Sequence, residues 1–151
     1  MKKKICLIAS SGGHYEQIIM LKKLEDYFDV YYVTEKTFYS NKNDNVYYIN
    51  QINRREKFFI VKFIRIFFQS LRIFFIERPD IIISTGAMSV IPTFLIGRLC
   101  KKKLIFIESF AKLNSSTMTG RFVYKLSDHI VVQWESMLTV YPEAQYFGSI
   151  Y

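Results

Sequence analysis

The stretch Lys4-Ile5-Cys6-Leu7-Ile8-Ala9-Ser10-Ser11-Gly12-Gly13-His14 decides the fold. A short apolar run, Ile5 to Ala9, enters a polar glycine turn, and from Tyr15 onward apolar residues recur at helical spacing. This is the pattern of a buried strand, a tight turn and a helix N-terminus. Gly12 and Gly13 allow positive φ and bring backbone N–H groups toward an anion, and the following helix adds the positive end of its dipole. The turn matches neither G-x-G-x-x-G nor G-x-x-x-x-G-K-S/T, so it carries no dinucleotide or P-loop fingerprint. Steric demand alone also accounts for glycines in a strand-to-helix turn, and on the residues both readings stay open.

Outward from this turn, apolar runs alternate with helical patterns. The spacing predicts strands at 4–9, 30–34, 46–49, 80–84, 104–107 and 129–132, and helices at 15–24, 57–76, 90–99, 119–126 and 135–141. Ile81-Ile82-Ile83 and Ile130-Val131-Val132 are continuous rather than alternating, as expected of parallel strands covered on both faces. The fold class is therefore α/β: a single Rossmann-like domain spanning residues 1–151, with a mostly parallel sheet and helices on both faces. A chain of 151 residues, half of them apolar, is one domain long and can bury one core. Ligands of such sheets gather at the carboxyl ends of the strands, which selects the loops 10–14, 85–87 and 108–116.

Charge points to the class of partner. The formal net charge is +8. Between Arg54 and Arg78 lie seven basic and two acidic residues, a surplus that attracts nucleic acid, an anionic bilayer or a phosphorylated ligand. Two cysteines, Cys6 in the first strand and Cys100 at the end of an apolar helix, read as reduced, buried thiols of a cytoplasmic protein. Lys2, Lys3 and Lys4 precede only about five apolar residues where a leader needs roughly 7–15, so secretion is not expected. No cofactor and no metal are expected.

On a helical wheel the predicted helix 57–76 gathers Lys62, Arg65, Gln69 and Arg72 on an arc of about 80°. Phe63, Phe74, Phe67, Ile60, Leu71, Ile64, Phe75, Phe68 and Val61 fill roughly 160° opposite, while Phe58, Phe59, Ile66 and Ile73 stray toward the polar side. A helix on a sheet needs one apolar stripe, so this one has phenylalanine to place elsewhere. Phe59, Ile60, Phe63, Ile64, Phe67, Phe68, Leu71, Phe74 and Phe75 suit the acyl boundary of a bilayer, and Lys62, Arg65 and Arg72 suit its headgroups. Those three cations would each cost roughly 2.5–3.5 kcal/mol at the bilayer centre, so the helix is expected to lie on the membrane. The alternative is a core helix whose extra aromatics pack on a partner chain. Cations interleaved with so wide a Phe/Ile surface fit lipid better than a phosphodiester backbone, and no nucleic acid is expected.

Two side chains are candidates for chemistry. His14, at the helix start, suits donation to a phosphate or removal of a proton from an attacking hydroxyl, and suits capping of the turn equally. Glu108, directly after a strand, suits a sugar hydroxyl or a base role; the alternative is an ion pair with Arg98 or Lys112. Ser10, Ser11, Gly12, Gly13, Gly86 and Ser109 are the expected phosphate contacts at these strand ends. His129, at the opposite end of the sheet, reads as structural, and Trp134 with Glu135 either line the cleft or open a helix.

Ser-Gly-Gly-His at 11–14, Arg-Pro-Asp and Thr-Gly within 78–86, Ile-Glu-Ser-Phe-Ala at 107–111, Thr-Gly-Arg-Phe-Val-Tyr at 119–124, Val-Gln-Trp-Glu at 132–135 and Tyr-Phe-Gly-Ser-Ile-Tyr at 146–151 occur in order. Together they resemble the oligosaccharide biosynthesis family of the asparagine-linked-glycosylation-fourteen type and its bacterial capsule and exopolysaccharide counterparts. The resemblance implies the N-terminal, acceptor-binding half of a MurG-like glycosyltransferase of the GT-B fold, with the nucleotide-sugar-binding half on a separate catalytic subunit. It implies a peripheral subunit at the cytoplasmic face of the cell membrane, inactive alone, which holds a polyprenyl-diphosphate-linked acceptor. By the same resemblance the turn Ser11–His14 faces the diphosphate or sugar of the lipid-linked acceptor, Glu108 lies in the interdomain cleft, and Gly148, Ser149, Ile150 and Tyr151 contribute to the partner contact. Two rivals are a basic nucleic-acid-binding module and a free-standing nucleotide-dependent α/β enzyme; the latter needs a donor fingerprint that the sequence does not contain.

Overall fold

Among the described residues seven parallel strands form one sheet in the order β3-β2-β1-β4-β5-β6-β7. They are β1 (Lys4–Ala9), β2 (Asp29–Glu35), β3 (Val46–Ile49), β4 (Ile81–Gly86), β5 (Lys103–Ile107), β6 (His129–Val132) and β7 (Gln145–Tyr146). The computed structural model describes residues 2–38, 40 and 45–151. Among the described residues four α-helices accompany the sheet: α1 (Gly13–Ile19), α2 (Phe59–Glu77), α3 (Ile91–Leu99) and α4 (Met118–Tyr124). The six anticipated strands are present, β4 running two residues further so that Thr85 and Gly86 belong to it. The two-residue edge strand β7 was not anticipated; it is too short to leave a pattern.

Strand alternation divides the core into two layers. Cys6, Ile8, Ile82, Leu104, Phe106, Ile130 and Val132 face α2, α3 and α4. Ile5, Leu7, Ala9, Ile83 and Ile107 face Ile18 of α1. The predicted helix 15–24 is α1 followed by a 3₁₀ segment, Met20–Asp26, and the predicted helix 135–141 is a 3₁₀ turn, Glu135–Thr139. Burial pushes the Cys6 thiol up to about 12, so it is an inert core residue. Cys100, expected to be buried, is exposed, because it caps α3 where the chain turns into solvent.

The buried stripe of α2 is Ile66, Ser70, Ile73 and Phe74, which corrects two assignments. Ile66 and Ile73, placed on the polar side by the wheel, are core. Phe74, expected at a membrane, is 5% exposed and packs against the sheet. Phe67 and Leu71 pack half-buried against the same core. A helix apolar on three sides offers several stripes, and contact with β3 and α3 selects one of them. The stripe leaves Ile60, Val61, Ile64, Phe68 and Phe75 facing outward. Val61, Ile64 and Phe68 share a surface depression with Arg65 and Arg72, whereas Lys62 is tied to Glu56. Arg78, left-handed at φ 49°, and Pro79 end the helix. Among the described residues no helix is long and apolar enough to cross a membrane.

Candidate functional site

Strand order reverses between β1 and β4, and there the two connections leave the sheet in opposite directions. A crevice at the carboxyl ends is the consequence. The glycine turn leaves β1 on one side of it and Gly86-Ala87 leaves β4 on the other. Gly12 has φ 78° and Gly86 has φ 115°, conformations a side chain resists. Ala87 also has positive φ, 77°, a strained backbone of the sort that collects at ligand sites.

His14 bridges the crevice. Its Nδ1 lies 2.8 Å from the Thr85 carbonyl oxygen, and Thr85 Oγ1 donates back to the His14 carbonyl at 2.7 Å. A carbonyl only accepts, so Nδ1 carries the hydrogen, and in that tautomer Nε2 is the acceptor. Gly86 makes room for the ring: a Cβ there would lie 3.2 Å from His14 Cε1. His14 lines a cleft of about 770 Å³ whose apolar wall includes Phe59 and Phe63 of α2, Ile91 of α3, and Met118 and Phe122 of α4. Arg54, Lys112, Ser116 and Thr117 supply its polar rim. The polar residues between β5 and α4 therefore meet His14 although about a hundred positions separate them.

Glu108 occupies a different place from the one expected. It is 1% exposed, beneath the loop rather than in the cleft. Its carboxylate accepts from Ser109 N–H at 2.9 Å, Thr117 N–H at 3.1 Å, Thr117 Oγ1 at 3.0 Å and Tyr141 Oη at 2.6 Å. Four donors compensate the buried charge without a cation. Neither Arg98 nor Lys112 is its partner, since Arg98 pairs with Asp128 and no ion pair among the described residues includes Glu108. Burial first, then the hydrogen bond and charge of Glu108, raise the Tyr141 phenol well above its ordinary range. Thr117 in turn caps α4 by accepting from Gly120 N–H at 2.8 Å. Glu108 is thus a positioning residue: it fixes the 109–117 loop, and with it the Lys112 and Ser116 edge of the cleft.

Gly120 tests this network. A Cβ there would meet Glu108 Oε2 and Tyr141 Oη at 2.3 Å each and Thr117 Oγ1 at 2.8 Å. Replacing a helical glycine with alanine otherwise gains about 1 kcal/mol. Here the clash and the broken hydrogen bonds outweigh that gain, and Gly120→Ala is expected to lower stability by about 2 kcal/mol in denaturant titration. A neutral or stabilising result would show that the loop does not depend on this contact.

The other anticipated contacts separate. Ser11 and Gly12 line a second cleft on the far side of the turn. Ser10 and Ser109, both 7% exposed, lie beneath the surface; Ser109 Oγ accepts from Ala111 N–H at 3.4 Å. Gly13 is exposed at the start of α1. Trp134 does not enter the cleft: its Nε1 donates to the Phe110 carbonyl at 2.7 Å and its ring lies 4.8 Å from that of Phe110. Buried Gln17 and Gln133, to which the sequence assigned no role, join three segments. Gln17 Oε1 accepts from Phe110 N–H and Gln133 Nε2, and Gln133 Oε1 accepts from Ile150 N–H. Tyr151 packs edge-on against Phe110 at 5.1 Å, so the segment 148–151 lies beside the carboxyl ends of the strands.

A parallel sheet with this order, with its clefts at the reversal point, defines a Rossmann-like fold. Solved structures repeat it. MurG of Acinetobacter baumannii superposes with a TM-score of 0.73 at 18% identity, over 89% of this chain and 42% of that one. UDP-N-acetylglucosamine 2-epimerase from Rickettsia bellii superposes with a TM-score of 0.76 at 10% identity, over 99% and 46%. At such identities the likeness is one of fold. The family described as oligosaccharide biosynthesis protein Alg14 like matches residues 51–150, and this chain belongs to that family. The UDP-N-acetylglucosamine transferase subunit ALG14 of Candida albicans is 35% identical over 79 residues, 48% of this chain and 36% of the relative. Its human counterpart is 32% identical over 79 residues, 48% and 37%. The match thus spans little more than a third of the relatives' length.

Proposed function

We propose that this chain is the membrane-associated accessory subunit of a two-component glycosyltransferase of polysaccharide or oligosaccharide synthesis. It binds a polyprenyl-diphosphate-linked sugar and recruits a separate subunit that binds the nucleotide sugar. The observation that carries the reading is the composition of the His14 cleft. One base, two cations and a wall of Phe59, Phe63, Met118 and Phe122 meet in one space, and α2 continues that apolar wall onto the outer surface. A lipid diphosphate needs this combination: cations for phosphate, apolar surface for the first isoprene units. The word "subunit" in the relatives' names supports the second component.

In the assembled enzyme the acceptor hydroxyl attacks the anomeric carbon of the donor. Its proton passes to His14 Nε2 as the bond to the sugar forms, and the bond to the departing nucleoside diphosphate breaks. The ring is held for this by Thr85. Arg54 and Lys112 stabilise the acceptor's diphosphate. Glu108 acts through the loop that it holds. The segment Gly148–Tyr151, beside the same strand ends, contributes to the docking of the donor subunit. The chain rests peripherally at the cytoplasmic face of the membrane through α2, and nucleic acid has no part in the activity.

Reconstitution tests the reading. Sugar transfer from UDP-N-acetylglucosamine to a polyprenyl-diphosphate sugar is expected only when this chain, a donor-binding subunit and vesicles are combined. Transfer by this chain without the second subunit, or salt-sensitive retention on DNA without vesicle binding, would overturn it.

A further inference from the structure

The glycine turn has a second side. Across it from His14, Ser11 and Gly12 line a cleft of about 830 Å³ over the carboxyl ends of β1, β2 and β3. Its floor includes Glu35, the last residue of β2, and its walls include Tyr15, Lys36 and Tyr48. Glu35 is only 8% exposed. Ser11 Oγ donates to Glu35 Oε2 at 3.2 Å, and no ion pair among the described residues includes this carboxylate. A carboxylate has room for about four donors, and a buried charge is costly unless they are supplied. Glu108, more deeply buried at 1% exposed, receives four protein donors; Glu35 faces a cleft instead.

We infer that the Glu35 cleft is a sugar-binding site in which the carboxylate takes a vicinal diol. Two hydroxyls on adjacent ring carbons reach one carboxylate together, as two charge-assisted hydrogen bonds. Tyr15 and Tyr48 both line this cleft, and their rings offer apolar surface to the C–H face of a sugar. Lys36 adds a cation at the rim for an attached phosphate. The order in the chain supports the same chemistry. In mononucleotide-binding units, an acid at the end of the second strand, about 20 residues after the glycine turn, accepts sugar hydroxyls while the turn holds phosphate. Glu35 holds that position, although the turn lacks the complete fingerprint. The diol belongs either to a pyranose on the lipid-linked acceptor or to the ribose of a nucleotide. This site deepens the proposed function and rests on it for the choice of probes.

Saturation-transfer NMR on the full chain distinguishes the sources. One probe is an N-acetylglucosaminyl diphosphate with a short prenyl tail; the others are UDP, 2′-deoxy-UDP and inorganic diphosphate. Ring-proton signals from the first probe alone assign the site to the acceptor pyranose. Signals from UDP that fall at least tenfold in 2′-deoxy-UDP assign it to ribose. In either case Glu35→Gln, which keeps shape and removes charge, is expected to weaken binding about tenfold. Should that variant not fold, Glu35→Asp, which keeps charge and withdraws it from the cleft, is expected to do the same. No signal from either sugar probe, equal affinity for inorganic diphosphate, or unaltered binding in the folded variant overturns the inference. Sugar transfer by the reconstituted pair would then still stand, so the two failures are distinct.

Discussion

Replacing His14 with asparagine in the assembled enzyme lowers turnover about 10²–10⁴-fold, the share that a single general base contributes. Asparagine is chosen because its amide N–H can occupy the place of Nδ1 and still donate to the Thr85 carbonyl, which His14 contacts at 2.8 Å. The brace between α1 and β4 then survives, while the acceptor nitrogen at Nε2 is gone. Alanine removes both, adding the cost of a lost hydrogen bond, about 1 kcal/mol, to the same loss of turnover. Gly86→Ala reaches the ring from beneath. Its Cβ would crowd His14 Cε1 at 3.2 Å and Nδ1 at 3.4 Å, at a residue whose φ of 115° already excludes most side chains. It is expected to reduce kcat more than the acceptor KM, because the ring moves while the apolar wall of the cleft stays. Turnover within twofold of wild type in His14→Asn would remove this residue from proton transfer and leave it as a structural brace.

The difference between His14 and Glu108 shows what a single sequence can disclose. Both stand just beyond a strand, where ligands of such sheets bind, and that rule places both near the crevice. What separates them is supplied by residues remote in the chain. Thr117 and Tyr141 enclose Glu108, and no local pattern announces them. Strands were readable because a parallel strand buried on both faces is a continuous apolar run, as at Ile81-Ile82-Ile83. The rotation of α2 was not, because phenylalanine and isoleucine surround the helix and only the neighbouring β3 and α3 decide which of them are core. Glu35 was passed over although its signal was present, an acid 23 positions after Gly12. Beside Lys36 it reads as an exposed pair at a strand end, and only the fold reveals it 8% exposed against the glycine turn.

Charging the outer face of α2 with Ile64→Glu and Phe68→Glu is expected to reduce binding to anionic vesicles at least a hundredfold without unfolding the chain. Ile64 is 50% and Phe68 62% exposed, so neither substitution opens the core. Sinking either side chain into the acyl boundary contributes about 1.5–3 kcal/mol, and glutamate replaces that gain with repulsion from the headgroups. Arg65 and Arg72 border the same depression. Each contributes about 1 kcal/mol near an anionic surface, so Arg65→Gln with Arg72→Gln should lower binding to anionic vesicles about thirtyfold and leave the weaker binding to neutral ones unchanged. Co-flotation across a salt series reads both effects, the apolar one insensitive to salt and the cationic one screened by it. A chain in which α2 docks on another protein would behave differently: the Ile64 and Phe68 variant would float as wild type does and lose capture of the donor-binding subunit. Membrane contact therefore stands on the order of the losses. The apolar pair must matter more than the cationic pair, and both must act before any partner is added.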